Sequence, residues 1–116
     1  MRAEDYAVVL QTAPSLARDQ EAQAFDTGIA LMEEAHEKPA QSPEAIIAAR
    51  YIQRLWRYLL KDVNDPANEL SDDLKANLVS IGLFVFKETD RILASDSTDW
   101  TGLIEINRTV REGLSS

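Results

Sequence analysis

Apolar side chains recur every three or four residues in four long segments of this chain, and that spacing places them on one face of an α-helix. The clearest case is SPEAIIAARYIQRLWRYLLKDV, in which Ser42 is the expected N-cap and Pro43 the first helical residue. We expect a helix from about Pro43 to Val63, with Trp56 on its apolar, core-facing side. No segment has the alternating pattern of a half-buried strand, so the sequence predicts an all-α fold.

Three further helices are expected, and their ends are marked by proline, serine caps and a glycine near the C-terminus. The expected helices run from just after Pro14 to about Lys38, from Ser71 to about Ala94, and from Trp100 to about Glu112. A short extra N-terminal helix from Glu4 to Leu10 is an open alternative. A chain of 116 residues has the length of one domain, so residues 1–116 are expected to form a single-domain bundle of about four main helices.

The expected helix from Ser71 to about Ala94 carries more apolar surface than one buried stripe requires, most of it in LVSIGLFVF, residues 78–86. One stripe includes Leu78 and Val85, and a second, about a third of a turn away, includes Leu83. We expect neighbouring helices to cover both stripes. Phe84 projects from a third side among polar residues, which makes it a candidate anchor for a binding partner. The alternatives are an incidental exposed aromatic or a residue covered by the N-terminal segment.

Four basic residues lie along one side of the second helix at spacings of four, three and four: Arg50, Arg54, Arg57 and Lys61. We label the expected helix from Pro43 to Val63 α2 and call this row the α2 stripe. The four side chains are either exposed to solvent or paired with the acidic side of the first helix, which consists of Asp19, Asp26, Glu33 and Glu37. The functional alternative is that the stripe is a docking site for an acidic partner. A net charge of -8 opposes binding to a phosphate backbone, so no direct nucleic-acid partner is expected.

Nothing in the sequence indicates catalysis or a cofactor. The chain has no cysteine and a single histidine, His36, which we place on the surface, whereas transition-metal sites need several such ligands. The loop NDPANELSDD departs from a calcium loop because Pro66 stands at a ligand position and Ala67 replaces the glycine. We therefore expect a non-enzymatic protein without cofactors.

The apolar runs are too short for a signal peptide or a membrane span, and the lack of cysteine is compatible with a reducing compartment. A cytoplasmic protein without membrane insertion is expected.

Three parts of the sequence resemble the FlaF family of bacterial flagellar biosynthesis regulators. They are the set Leu55, Trp56, Leu59 and Asp62, the stretch DPANELSDDLKANLVSIGLFVFKETDRI from Asp65 to Ile92, and GLIEINRTVREGL from Gly102 to Leu114. The resemblance is most specific in ANLVSIGLFVF and weakest before Ser42.

This resemblance implies a role in flagellum assembly, in which the protein promotes flagellin production and export as a flagellin-binding secretion chaperone. It implies flagellin as partner, through its terminal helical segments, with FlbT, a regulator of flagellin messenger RNA, as a possible second partner. It implies no catalytic residues. The alternative is a translational regulator of flagellin expression that acts through FlbT or through RNA, which the α2 stripe would contact with help from Tyr51 and Tyr58.

Overall fold

The helices expected from the sequence are present, and their ends lie within a few residues of the expected ones. The computed structural model describes the backbone of residues 15–113 and the side chains of residues 20–112. In this part of the chain the helices are α1 (Ser15–His36), α2 (Pro43–Val63), α3 (Asp72–Leu93) and α4 (Thr101–Gly113). The all-α prediction is confirmed, and the alternative helix at residues 4–10 lies outside the described residues. None of the four helices is long and apolar enough to cross a membrane.

Polar side chains fix the first turns of three helices. The hydroxyl oxygens of Ser42 and Ser71 each accept a hydrogen bond at 3.2 Å from the backbone N–H three residues further on, which satisfies one free donor at the start of α2 and of α3. Before α4, the Asp99 carboxylate accepts the backbone N–H of Thr101 at 2.9 Å. This bond, with a second from the Thr101 side chain, holds the pKa of Asp99 below its ordinary value.

Three helix pairs hold the bundle together. The most extensive packing is between α2 and α3, followed by α1 with α2 and α1 with α4. By contrast, α3 and α4 approach each other at few points, although they are neighbours around the bundle. In the part of the chain that the structure describes, the bundle is therefore open between α3 and α4.

Large side chains from α1 and α2 meet at the centre of the core. A buried polar side chain of α2 also forms a hydrogen bond with α3. The rings of Trp56 and Phe25 are fully buried and meet edge to face, with 6.2 Å between centroids. The buried Gln53 donates a hydrogen bond from Nε2 to Thr89 Oγ1 at 2.8 Å, which ties α2 to α3. The prediction that Trp56 lies in the core is confirmed.

Leu83 contradicts the expectation that neighbouring helices cover both apolar stripes of α3. Its side chain is 63% exposed, whereas Leu78 and Val85 on the other stripe are buried. The contact with α2 is made at Gly82, where an added Cβ would lie 2.6 Å from Leu60 Cδ1. Leu83 is one residue further along, about 100° around the helix, and is therefore turned away from this contact.

Candidate functional site

The open side of the bundle contains an apolar groove with a volume of about 490 Å³. We call it the α3/α4 groove. It is lined from α3 by Ser80, Ile81 and Phe84, and from α4 by Gly102, Glu105, Ile106 and Thr109. Aromatic and aliphatic side chains supply its apolar surface, with hydroxyl groups and one carboxylate beside them. An apolar surface with a few polar groups is suited to another amphipathic segment.

Phe84 lies in this groove, close to α4. Its side chain is 41% exposed, and its Cζ atom is 3.5 Å from the position that a Cβ on Gly102 would occupy. The sequence prediction that Phe84 is exposed is confirmed. Its expected isolation among polar residues is wrong, because α4 places Gly102 and Ile106 beside the same groove. Its role in binding a partner stays a prediction.

Sequence reasoning missed the contribution of α4 to this site. Ile106 is the kind of apolar residue that an amphipathic pattern assigns to the core, and Gly102 carries no signal of its own. In the structure, Ile106 and its counterpart Ile81 are only partly buried, because the side of the bundle between their helices is open. The site therefore follows from the packing of α4 and not from any local motif.

The α2 stripe lies on the outer side of its helix, and all four of its side chains are exposed. None of them forms an ion pair or a side-chain hydrogen bond within residues 20–112. Two acidic residues of α1 instead contact α4. Arg111 contacts the Asp26 carboxylate at 2.7 and 3.2 Å, and Arg108 contacts Glu33. In the described residues, the proposed pairing of the stripe with α1 is therefore wrong.

Two adjoining apolar depressions lie beside the stripe, between α1 and α2. One, of about 280 Å³, is lined by Ala24, Tyr51, Arg54, Leu55 and Tyr58. The other, of about 240 Å³, is lined by Gln20, Glu21, Ala24, Leu55, Tyr58 and Leu59. Because they share three residues, we treat them as one surface, the α1/α2 trough. Arg54 belongs both to this trough and to the α2 stripe.

In the acidic loop between α2 and α3, polar side chains accept hydrogen bonds from the backbone of the loop itself. Asp65 accepts the N–H of Ala67 at 2.8 Å, and Asn68 accepts the N–H of Leu70 at 2.9 Å. These bonds are turn-stabilising contacts. His36 is exposed at the end of α1, as predicted. Among the described residues, no group of three or more His, Cys, Asp or Glu side chains is placed to hold a metal ion.

Comparison with protein families shows which family the chain belongs to. The family model described as flagellar protein FlaF matches residues 2–114, nearly the whole chain. The chain belongs to the FlaF family. All four helices of this FlaF-family protein lie within the match, so the α3/α4 groove, the α1/α2 trough and the α2 stripe all lie in the matched region. Neither the comparison with curated proteins nor that with solved structures finds a match. The family makes this a flagellar protein.

Proposed function

We propose that this flagellar protein binds flagellin and promotes its production and export, as a non-catalytic secretion chaperone in the cytoplasm. Membership of the FlaF family supports a flagellar partner. The observation that carries the proposal is the apolar α3/α4 groove with the partly exposed Phe84 inside it. An apolar groove of this kind can hold a segment of a partner protein, and we assign no catalytic residue to it.

The α3/α4 groove suits a helix with one apolar face. Such a helix, laid between α3 and α4, would cover the exposed parts of Ile81, Phe84 and Ile106 and fill the open side of the bundle. Before export, the terminal segments of flagellin are expected to be unfolded or loosely helical, and amphipathic once helical. Holding such a segment in the groove would cover the surface that it otherwise uses for assembly, and would delay assembly until after export.

The second candidate function is translational regulation of flagellin expression, through RNA or through FlbT. The observation in its favour is the α2 stripe, whose four cations have no partner in residues 20–112, with Tyr51 and Tyr58 on the same helix. The net charge of -8 weighs against RNA, because the carboxylates elsewhere on the protein repel phosphate. We therefore rank flagellin binding first.

Co-purification tests the proposal. The tagged full-length chain is expressed with flagellin alone, with FlbT alone and with both, and each preparation is repeated with ribonuclease. We expect flagellin to be retained without FlbT and after ribonuclease treatment. Retention of flagellin only in the presence of FlbT, or its loss after ribonuclease treatment, would favour the regulator instead.

A further inference from the structure

We propose that the α1/α2 trough and the α2 stripe together form a second docking surface, which takes an acidic amphipathic helix of a partner protein. This inference goes beyond flagellin binding in the α3/α4 groove and does not depend on it.

The first observation is the difference between the arginines of α2 and those of α3 and α4. Arg91, Arg108 and Arg111 each contact a carboxylate of the same chain. The α2 stripe has no such contact within residues 20–112, although the chain contains 20 acidic residues against 12 basic ones. Cations three and four residues apart on a helix repel one another. Carboxylates of a partner helix would relieve this repulsion.

The second observation is the apolar surface that adjoins the stripe. Tyr58 is 67% exposed, and Leu55 is partly exposed, at the shared part of the trough. The Tyr51 hydroxyl donates a hydrogen bond to the backbone oxygen of Ala24 at 3.0 Å, which holds its ring against α1. The trough is therefore preformed, and Arg54 joins it to the row of cations.

Side by side, the two surfaces specify the chemistry of the partner. A helix whose apolar stripe is edged by Asp and Glu would place its apolar side chains in the trough and its carboxylates along the α2 stripe. Charge complementarity of this kind fixes orientation and raises the rate of association. Because the trough and the stripe share no residue with the α3/α4 groove, both surfaces can be occupied at once.

Two other occupants fit the observations less well. Single-stranded RNA can stack bases on tyrosine rings, but the net charge of -8 opposes it. A second copy of the chain would have to present an apolar helix face edged by free carboxylates, and on the acidic side of α1 both Asp26 and Glu33 are already bound by arginines of α4. An acidic helix from a different protein meets neither difficulty.

The test uses a fluorescein-labelled synthetic helical peptide of about 18 residues, or five turns, with leucine on one face and glutamate along both edges of that face. A matched peptide carries serine in place of leucine, and an oligouridine represents RNA. Binding to the full-length protein is followed by fluorescence anisotropy at several salt concentrations. The protein variants are Arg54→Glu with Arg57→Glu, and a control, Lys38→Glu with Lys87→Glu, which makes the same change in net charge at exposed positions outside the stripe.

We expect the leucine peptide to bind the parent protein, and the stripe variant to bind it at least about tenfold more weakly. The control variant should lose less than about threefold, and the serine peptide should bind more weakly than the leucine peptide to the parent. Both variants should melt close to the parent, because exposed surface positions contribute little to stability. If the double reversal fails to fold, Arg54→Gln with Arg57→Gln provides the same comparison without added negative charge.

Three outcomes would overturn the second docking surface. They are absence of peptide binding to the parent, an equal loss in the stripe variant and the control, and tighter binding of oligouridine with a steep dependence on salt. Flagellin binding by the same variants separates the two proposals. The stripe variant should bind flagellin as the parent does, and Phe84→Ala should leave binding of the peptide unchanged.

Discussion

At the level of single residues, Asn107 shows how a polar side chain becomes part of the core. It is fully buried; its Oδ1 accepts the Trp56 indole N–H at 2.9 Å, and its Nδ2 donates to the Leu103 backbone oxygen at 2.7 Å. The burial of Trp56 was predictable from its helical phase. The burial of Asn107 was not, because its partner lies 51 positions away on another helix.

A double-mutant cycle measures this contact. Asn107→Leu should cost about 1–3 kcal/mol of unfolding free energy, because it leaves the Trp56 N–H buried without an acceptor. Trp56→Phe leaves the Asn107 oxygen without a donor and also creates a cavity. The double variant should therefore be more stable, by about 1 kcal/mol or more, than the sum of the two single losses implies. Urea unfolding gives all four values, and strictly additive losses would show that the hydrogen bond contributes nothing of its own.

At the level of helices, Ser95 determines how α3 ends. Its φ is 64°, in the left-handed region that glycine usually occupies. The N–H of Asp96 donates to the Arg91 oxygen at 2.8 Å, and the N–H of Ser95 donates to the Ile92 oxygen at 3.1 Å. This pair of bonds is the Schellman arrangement of helix C-termini. The sequence indicates that the helix ends here but not how, because no glycine marks the left-handed position.

Replacing Ser95 by glycine should raise the unfolding free energy by about 1 kcal/mol, because glycine adopts a left-handed conformation without steric cost. The Gln41 side chain loses its contact with the Ser95 hydroxyl but keeps its hydrogen bond to the Leu93 oxygen, at 3.1 Å. Ala94→Gly is the matched control: Ala94 has a φ of -85°, so glycine there should lower stability. Thermal melts of both variants test this account, and a loss of stability in Ser95→Gly would contradict it.

At the level of the whole molecule, the sequence predicts the helices well and the surfaces between them only in part. Helix ends depend on residues close together in the chain, such as Ser42 and Ser71, so the local sequence is sufficient to find them. The α2 stripe lies on a single helix and was found from spacing alone. The α3/α4 groove and the α1/α2 trough each need two helices, and their existence depends on which pairs pack closely and which do not.

Dependence on how the helices pack also explains why the sequence predictions for Leu83 and for the surroundings of Phe84 were wrong. Helical phase places Leu83 beside covered residues, but the contact with α2 is made at Gly82, so Leu83 is exposed. Phase also places Phe84 among polar neighbours, but α4 adds apolar ones from across the groove. The two residues are adjacent, exposed and apolar, yet only Phe84 lines the groove. They therefore form a matched pair for testing the groove.

Calorimetric titration of flagellin into the parent protein, Phe84→Ala and Leu83→Ala measures whether flagellin binds in the α3/α4 groove. Loss of an aromatic anchor should weaken binding by at least about tenfold, whereas Leu83→Ala should bind as the parent does. Thermal melts of both variants should stay close to that of the parent, because both side chains are exposed. Unchanged affinity in Phe84→Ala, or an equal loss in Leu83→Ala, would contradict binding in the groove.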